Sequence, residues 1–575
     1  MKTLNLHCDY IKFKALKKAL KKIDEIAPSQ NLEGESKDCL VVLIAVEKTD
    51  NKTETVEKLV KNVKDISSQV KAENIVLYPY AHLSRNLGSP ELAVEILDLT
   101  EKRLIDFNVI KAPFGYYKTF ELKVKGHPLS ELSREIVIEG NEEEEQELSS
   151  DERERMWKKM KKVKMQAPRG KNDLKSNVEL ARDLDLYVVN EIVGPGLPLL
   201  TPKGATIKRE IERFAVDEEI RRGYEHTSTP IMAKSDLYKI SGHWQHYRKD
   251  MFVLNIEGQD YALRPMTCPF QFVLFNRKPR SYRDLPKKYG EMSTLYRKEQ
   301  SGELRGLTRL WQFTLADGHI ICTPGQLEEE FGKVVDLVKY IMETFGIEVW
   351  YRFSKWDPKN KKNKYIENPK AWENSEKSMK KILDNMKLEY VEADDEAAFY
   401  GPKLDLQYKD VYGKEDTLIT IQIDFALPEK FGLLYLDKDG KEKRPMVIHR
   451  SSTGATERII SYLLEKTQGN LPLWLSPVQA RVLTMNDDSK DYGKEVKEKL
   501  QAANIRTELD DANESMGKKA RNAIVEKVFY LVTVGEKEKK EGKVAVRKRG
   551  SKDIITMTVD EFISKTSEEI KTRKR

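Results

Sequence analysis

Residues 139–165 read EGNEEEEQELSSDERERMWKKMKKVKM, an acidic block running straight into a basic one. Almost nothing aliphatic is available for burial there, so the stretch reads as a solvated linker and cannot be part of a core. It divides the 575 residues into a short first piece and a long second one, each needing a core of its own. The basic half, Arg153 to Lys164, has the charge to touch a phosphate backbone, although a plain exposed helix is the better account of it. Over its whole length the chain is 39% hydrophobic and 34% charged, a globular composition. Its longest apolar runs, such as CLVVLIAV (39–46), are too short to cross a bilayer. The start, MKTLNLHCDYIKFKALKK, lacks the apolar centre of a signal peptide. Four cysteines without a CxxC pair fit a reducing compartment, and a cytoplasmic location is expected. The net charge of +7 is small for 101 basic and 94 acidic residues, so a nucleic-acid partner must be argued from local patches.

Three segments flank or follow the linker (139–184). Residues 1–138 alternate β-branched runs with helical stretches, the clearest being a helix over 53–70 with Val56, Leu59, Val60, Val63, Ile66 and Val70 on one stripe. Residues 185–470 are richer in aromatics and arginine. They open with a helix over 206–224, and runs such as LITIQIDFAL (418–427) alternate in the antiparallel manner. Residues 471–575 give a βαβαβ series, which predicts a mostly parallel sheet. Neither GEKEKKEGK (535–543) nor GPGLPL (194–199) has the spacing of a nucleotide-binding loop.

The central segment carries the chemistry. Arg297, Glu299 and Arg309 lie around STLYRKEQSGELRGLTRLW, and Arg458 follows a Gly-containing bend in STGATER. Alternating Arg and Glu on short strands suits a bent triphosphate. Arg supplies bidentate donors to phosphate, and Glu accepts from an adenine amino group. For a single such pair a surface ion-pair ladder is the better explanation. Cys268 in LRPMTCPFQF is either a small buried residue or one ligand of a metal whose partners lie far along the chain. His243 and His246 in GHWQHY have helical spacing but no accompanying carboxylate motif, which favours packing or hydrogen bonding.

Taken together, the helix 206–224 followed by HTSTPIM, LYRKE with its loop to Arg309, and GATER resemble the three motifs of class II aminoacyl-tRNA synthetases. GHWQHYRKDMF, RPMTCP, DGHIICT, YGPK and VIHR resemble the threonyl-tRNA synthetases among them. The resemblance implies a multidomain α/β and α+β chain with an antiparallel class II core and a C-terminal anticodon-binding domain. It implies one Zn2+ per chain on Cys268, His319 and His449, and ATP with Mg2+ at Arg297, Glu299, Arg309 and Arg458. Threonine would meet Met266, Asp317, Tyr400, Lys403 and Gln422, and Arg549 would contact the tRNA anticodon. The implied partners are tRNA(Thr), ATP and threonine in a homodimer formed through the core, without a membrane. The base that serves aminoacyl transfer is left unassigned.

An open position on such a zinc would take threonine's amine and hydroxyl and leave valine unsatisfied. Serine has both groups. It lacks one methyl, worth only about 1–3 kcal/mol, or roughly 10–200-fold, so hydrolytic editing is expected on physical grounds. HCDYIKFK, AVEKTDN, YPYAHLSRNL and APFGYYKTFELKVKGHPLSELSR resemble the archaeal editing domain of these synthetases, itself similar to D-aminoacyl-tRNA deacylases. That carries over His82, Tyr117, Lys118 and Glu131 as editing residues. Read alone, Lys118 is a strand lysine facing water. The competing readings of the whole chain are a sister class II synthetase and a catalytically silent tRNA-binding paralogue.

Overall fold

The structure, a computed structural model, describes residues 1–27, 30–84, 86–136, 150–160, 174–359 and 365–573. Most of the charged linker, with the basic stretch beyond Met160, lies outside them. The chain divides into two compact units, Met1–Ser149 and Ser150–Arg575.

The first unit is built on a sheet ordered Asn108–Lys111, Asn74–Pro79, Glu33–Ala45, Lys2–Lys18, Tyr116–Val124, with Glu131–Glu135 also pairing with Lys2–Lys18. Alternation gives the long strands two apolar faces. Leu40, Val42, Ile44, Ile75 and Leu77 meet the helices Lys52–Val70 and Pro90–Arg103. Cys8, Ile11, Phe13, Cys39, Val41 and Tyr78 fill a second cluster. The helix expected over 53–70 begins at Lys52 because Asn51 caps it, its side chain accepting from the Glu54 N–H at 2.9 Å. Val56, Leu59, Val63 and Ile66 are its buried stripe.

The second unit centres on an eight-stranded sheet. In order its strands are Tyr390–Ala393, Trp350–Ser354, Lys403–Lys409, Glu415–Asp424, Met446–Ala455, Gln312–Cys322, Lys287–Tyr296 and Glu225–His226. The inner neighbours are antiparallel, and only the outermost pairs are parallel. On one face Ile320, Leu404, Leu406, Ile421 and Ile448 join the core formed with the helices Pro202–Arg221, Leu327–Phe345 and Thr456–Thr467. Alternation therefore sends His319, Lys403, Gln422 and His449 to the opposite face, where the site lies. The helix expected over 206–224 starts four residues earlier, at Pro202. Thr201 caps it, and proline is well placed in a first turn that needs no amide donor.

The C-terminal sheet runs Thr507–Asp510, Ala480–Thr484, Tyr530–Val534, Lys543–Lys548, Ile555–Thr558. The βαβαβ strands are parallel as expected, but the last two strands are antiparallel, so the sheet is mixed rather than mostly parallel. The cause is length: the helix Glu536–Glu541 is too short for a parallel crossover, so the next strand must turn back.

Candidate active site and metal centre

Register assembles the site. Lys403 pairs with Gln422, Gln422 with His449, His449 with His319, and His319 with Tyr289, a row across five strands. Cys268 arrives from outside the sheet, as the first residue of the helix Cys268–Asn276. One ligand atom each from Cys268, His319 and His449 lie within 4.8 Å of one another, and all three residues are buried. Burial pushes the Cys268 thiol well up, helped by Asp317 and Asp424, and pushes the His319 imidazole well down.

The neighbours of the two histidines fix which nitrogen faces the cluster. Gln271, one turn after Cys268, presents its Oε1 to His319 Nδ1 at 2.6 Å and donates its Nε2 hydrogen to Thr227 Oγ1 at 2.9 Å. Asp424 Oδ2 lies 2.8 Å from His449 Nε2, while its Oδ1 accepts from the Ala426 and Leu427 amides at 2.8 and 2.9 Å. His319 is thus left with Nε2 and His449 with Nδ1. Such outer partners are typical of metal-ligating histidines. A thiol, two oriented imidazoles and a shared small space fit a tetrahedral N/S cation with one position to spare.

The cluster opens into a cavity of about 830 Å³. Its lining contains Arg297, Glu299, Arg309 and Arg458, and with them Met266, Asp317, Tyr400, Lys403 and Gln422. Arg297 donates from Nε to the Pro265 carbonyl at 3.3 Å and rests on Phe313, 5.2 Å from its centroid. Arg458 donates to the Thr308 and Thr417 carbonyls at 3.2 and 2.8 Å. Among the described residues no carboxylate pairs with either guanidinium, so both are fixed in place but not neutralised. An anion is the natural complement. Arg309 lies 3.8 Å from Glu299 and 3.4 Å from Glu303, and burial raises the Glu299 carboxyl. Tyr400 donates to Gln422 Oε1, and Lys403 binds both oxygens of Asp405 at 3.0 and 2.8 Å. Burial also raises the Asp317 carboxyl.

Sequence reasoning passed over three residues. Gln271 is signalled by its i+3 spacing from Cys268, and Asp424 by alternation with Gln422. His243 was given a packing or hydrogen-bonding role. Its Nδ1 is indeed 2.7 Å from Ser241 Oγ and its ring stands edge-on to Phe399. It also lines the cavity, and its buried Nε2 has no hydrogen-bond partner among the described residues. Burial holds this imidazole neutral. Cys322 is buried in the helical core, away from the cluster.

In the first unit the four carried-over residues do not converge. His82 stands edge-on to Tyr80, Tyr80 touches Tyr78, and Lys118 Nζ lies 4.9 Å over the Tyr78 ring while donating to the Pro113 carbonyl at 2.8 Å. Burial lowers Lys118 to about 8, so it is not the water-facing lysine that the strand pattern alone suggested. Tyr117 alternates to the other face and is 64% exposed. Glu131 pairs with Leu6 whereas Lys118 pairs with Ala15, which separates them by roughly 30 Å along one strand. At the other end of the chain, Arg549 is occupied within its domain. Its guanidinium donates to the Lys527 carbonyl at 2.8 Å and to the Leu471 carbonyl, and it lies 4.7 Å over Phe529.

Comparison with known proteins follows the same division. Residues 1–136 match the Archaea-specific editing domain of threonyl-tRNA synthetase. Residues 252–467 match the class II core domain of tRNA synthetases (G, H, P, S and T), and 479–569 an anticodon-binding domain. A threonine–tRNA ligase of Clostridium perfringens is 55% identical over 400 residues, 69% of this chain and 62% of that protein. The chain thus spans under two thirds of the length of such curated relatives. The crystal structure titled the RNA binding domain of threonyl-tRNA synthetase from Cryptosporidium parvum superposes with a TM-score of 0.66 at 33% identity, covering 68% of this chain and 98% of that one. A putative threonyl-tRNA synthetase from Aeropyrum pernix gives 0.62 at 27% identity, over 69% and 96% of the two chains. No helix among the described residues is long and apolar enough to cross a membrane.

Proposed function

Because the chain belongs to the threonyl-tRNA synthetase family, with a class II core, an anticodon-binding domain and an archaeal-type editing domain, we propose that it joins threonine to tRNA(Thr) through a threonyl-adenylate and hydrolyses mischarged seryl-tRNA(Thr). The observation that carries the reading is convergence. Twelve residues chosen from scattered motifs line one cavity, among them a Cys/His/His cluster and two guanidiniums that no carboxylate among the described residues neutralises.

Arg297 and Arg458 hold the triphosphate of ATP, which class II enzymes use with Mg2+, and Glu299 and Arg309 place the adenine. Cys268, His319 and His449 would hold a zinc ion, which when bound would supply Lewis acidity toward the amine and side-chain hydroxyl of the amino acid. Asp317 accepts the hydroxyl proton, Met266 borders the pocket floor, and Tyr400 and Gln422 orient the amino group. Lys403, tied to Asp405, adds positive charge on the carboxylate side. His243, which lines the cavity and whose Nε2 has no hydrogen-bond partner among the described residues, is the group assigned to take a ribose hydroxyl proton during transfer. In the first unit, His82 and Lys118 border the editing site, with Lys118 stabilising an oxyanion.

We assign residues 1–138 to editing, 139–184 to the linker, 185–470 to synthesis and 471–575 to anticodon binding. A homodimer through the core is supported by the exposed Ile231, Ile240, Leu254 and Ile256 on and beside the small sheet Met232–Lys234, Val253–Ile256, Gln259–Leu263. The test is ATP–pyrophosphate exchange with a panel of amino acids. Threonine should give the strongest exchange, serine a weaker one and valine none. Exchange driven best by proline, glycine or serine would indicate a sister enzyme, and none at all a silent paralogue.

A further inference from the structure

One residue along from the row that carries the metal cluster, a second row crosses the same sheet. His226 pairs with Gly290, Gly290 with Gly318, and Gly318 with Arg450. By alternation the Arg450 side chain leaves the sheet on the face opposite its neighbours His449 and Ser451. Gly318 leaves room for Arg450 and Gly290 for the carboxylate that it meets. A Cβ on Gly318 would lie 2.4 Å from the Arg450 guanidinium, and one on Gly290 would lie 2.6 Å from Glu219 Oε2.

Arg450 ends at Glu219, in the helix Pro202–Arg221. Glu219 Oε1 accepts from Arg450 Nη1 at 2.5 Å and from Ser452 Oγ at 2.6 Å, and its Oε2 faces His226 Nε2 at 2.9 Å. The Arg450 guanidinium also lies 4.1 Å over the Tyr224 ring. Glu219 and Ser452 are fully buried and Arg450 is 1% exposed. A buried ion pair is weak evidence for stability, since apolar residues of similar volume often serve as well. What the pair does provide is position, because one carboxylate oxygen of Glu219 is shared by two side chains of the same strand, Arg450 and Ser452.

We propose that Glu219 is a positioning residue of the synthetic site: through Arg450 and Ser452 it clamps the strand Met446–Ala455 to the helix Pro202–Arg221 and so fixes His449 and Ser451 for the amino acid. The inference rests on the threonine-activating reading given above. The clamp acts on the amino-acid side of the cavity. On the ATP side Arg297 is held by the Pro265 carbonyl, which is outside this strand, and Arg458 by the Thr308 and Thr417 carbonyls.

The test compares two variants of the full chain by thermal unfolding and by pyrophosphate exchange, with separate KM values for threonine and ATP. In the double variant Glu219→Met with Arg450→Met, apolar groups replace both charges. It is expected to unfold within a few degrees of the parent, yet to show a threonine KM raised about tenfold or more and an ATP KM within about twofold. Ser452→Ala, which removes a single hydrogen bond, should move the threonine KM about twofold to fivefold in the same direction. A folded double variant with parental threonine KM would overturn the proposal, because a purely structural pair is restored by good packing. If the double variant does not fold, an unchanged threonine KM in Ser452→Ala overturns it instead. Absence of threonine-dependent exchange in the parent chain would remove the functional reading, which is a separate outcome.

Discussion

At the level of single residues, the Cys268, His319 and His449 cluster is shaped as much by what stands behind these side chains as by the side chains themselves. Asp424 fixes His449 by its Nε2, and two backbone amides hold Asp424 in turn. Asp424→Asn keeps the shape but exchanges a carboxylate for an amide that accepts less strongly. It should therefore lower zinc affinity by about 10–100-fold, the usual cost of losing such a partner, in competition against a chelating dye. Cys268→Ala should remove the metal and threonine activation together. His243 has a different signature. Replacing it by Gln preserves bulk against Phe399 but removes a neutral imidazole. Adenylate formation should stay near parental rates, while single-turnover transfer to tRNA slows by about 10²–10⁴-fold, the span of general-base effects. Equal loss in both steps would mean that His243 matters for packing alone.

At the level of elements, the sequence speaks clearly where a pattern is local and faintly where it depends on pairing. The stripe on Lys52–Val70 was legible because 3.6-residue periodicity lies within one stretch. The row Lys403–Gln422–His449–His319 was not, since its members meet only through a register that joins strands far apart in the chain. Family motifs supplied the ligands, but the partners Gln271 and Asp424 needed the helix and the strand in place. The last two C-terminal strands were missed because a short helix after Gly535 looks much like a turn in sequence. Arg549 belongs to this scale. Its guanidinium joins the end of Lys543–Lys548 to the segment around Leu471, and burial lowers its pKa to about 10. Arg549→Ala should cost the C-terminal domain about 1.5–3 kcal/mol, the range for hydrogen bonds to a charged group. A lower midpoint for that domain in calorimetry checks this. Weaker tRNA charging with an unchanged midpoint would instead favour direct anticodon contact.

At the level of the whole molecule, the proposed function makes the division into two units a division of the selectivity problem as well. A metal that binds an amine and a hydroxyl rejects valine but accepts serine, and a pocket cannot exclude the smaller amino acid by more than about 10–200-fold. On that proposal the remaining discrimination falls to Met1–Ser149, which has its own core and shares no residue with the cavity of the second unit. Protein comprising residues 150–575 should therefore still make threonyl-tRNA, but in the presence of both amino acids it should accumulate seryl-tRNA that the full chain clears. If Lys118 stabilises the oxyanion as proposed, the editing reaction has a pH signature. Its pKa near 8 lies below the ordinary lysine value because burial penalises the charged form. The cation is present below about pH 8 and lost above it, so an oxyanion stabilised by Lys118 is supported on the acidic side only. After subtraction of spontaneous hydrolysis, deacylation of pre-formed seryl-tRNA by the full chain should fall as pH rises from 7 to 9. Lys118→Arg, whose charge persists across that range, should flatten the profile even if its rate is lower. A profile that falls identically in both proteins would transfer the titration to another group, and unchanged seryl-tRNA levels in the truncated protein would assign the first unit to tRNA binding.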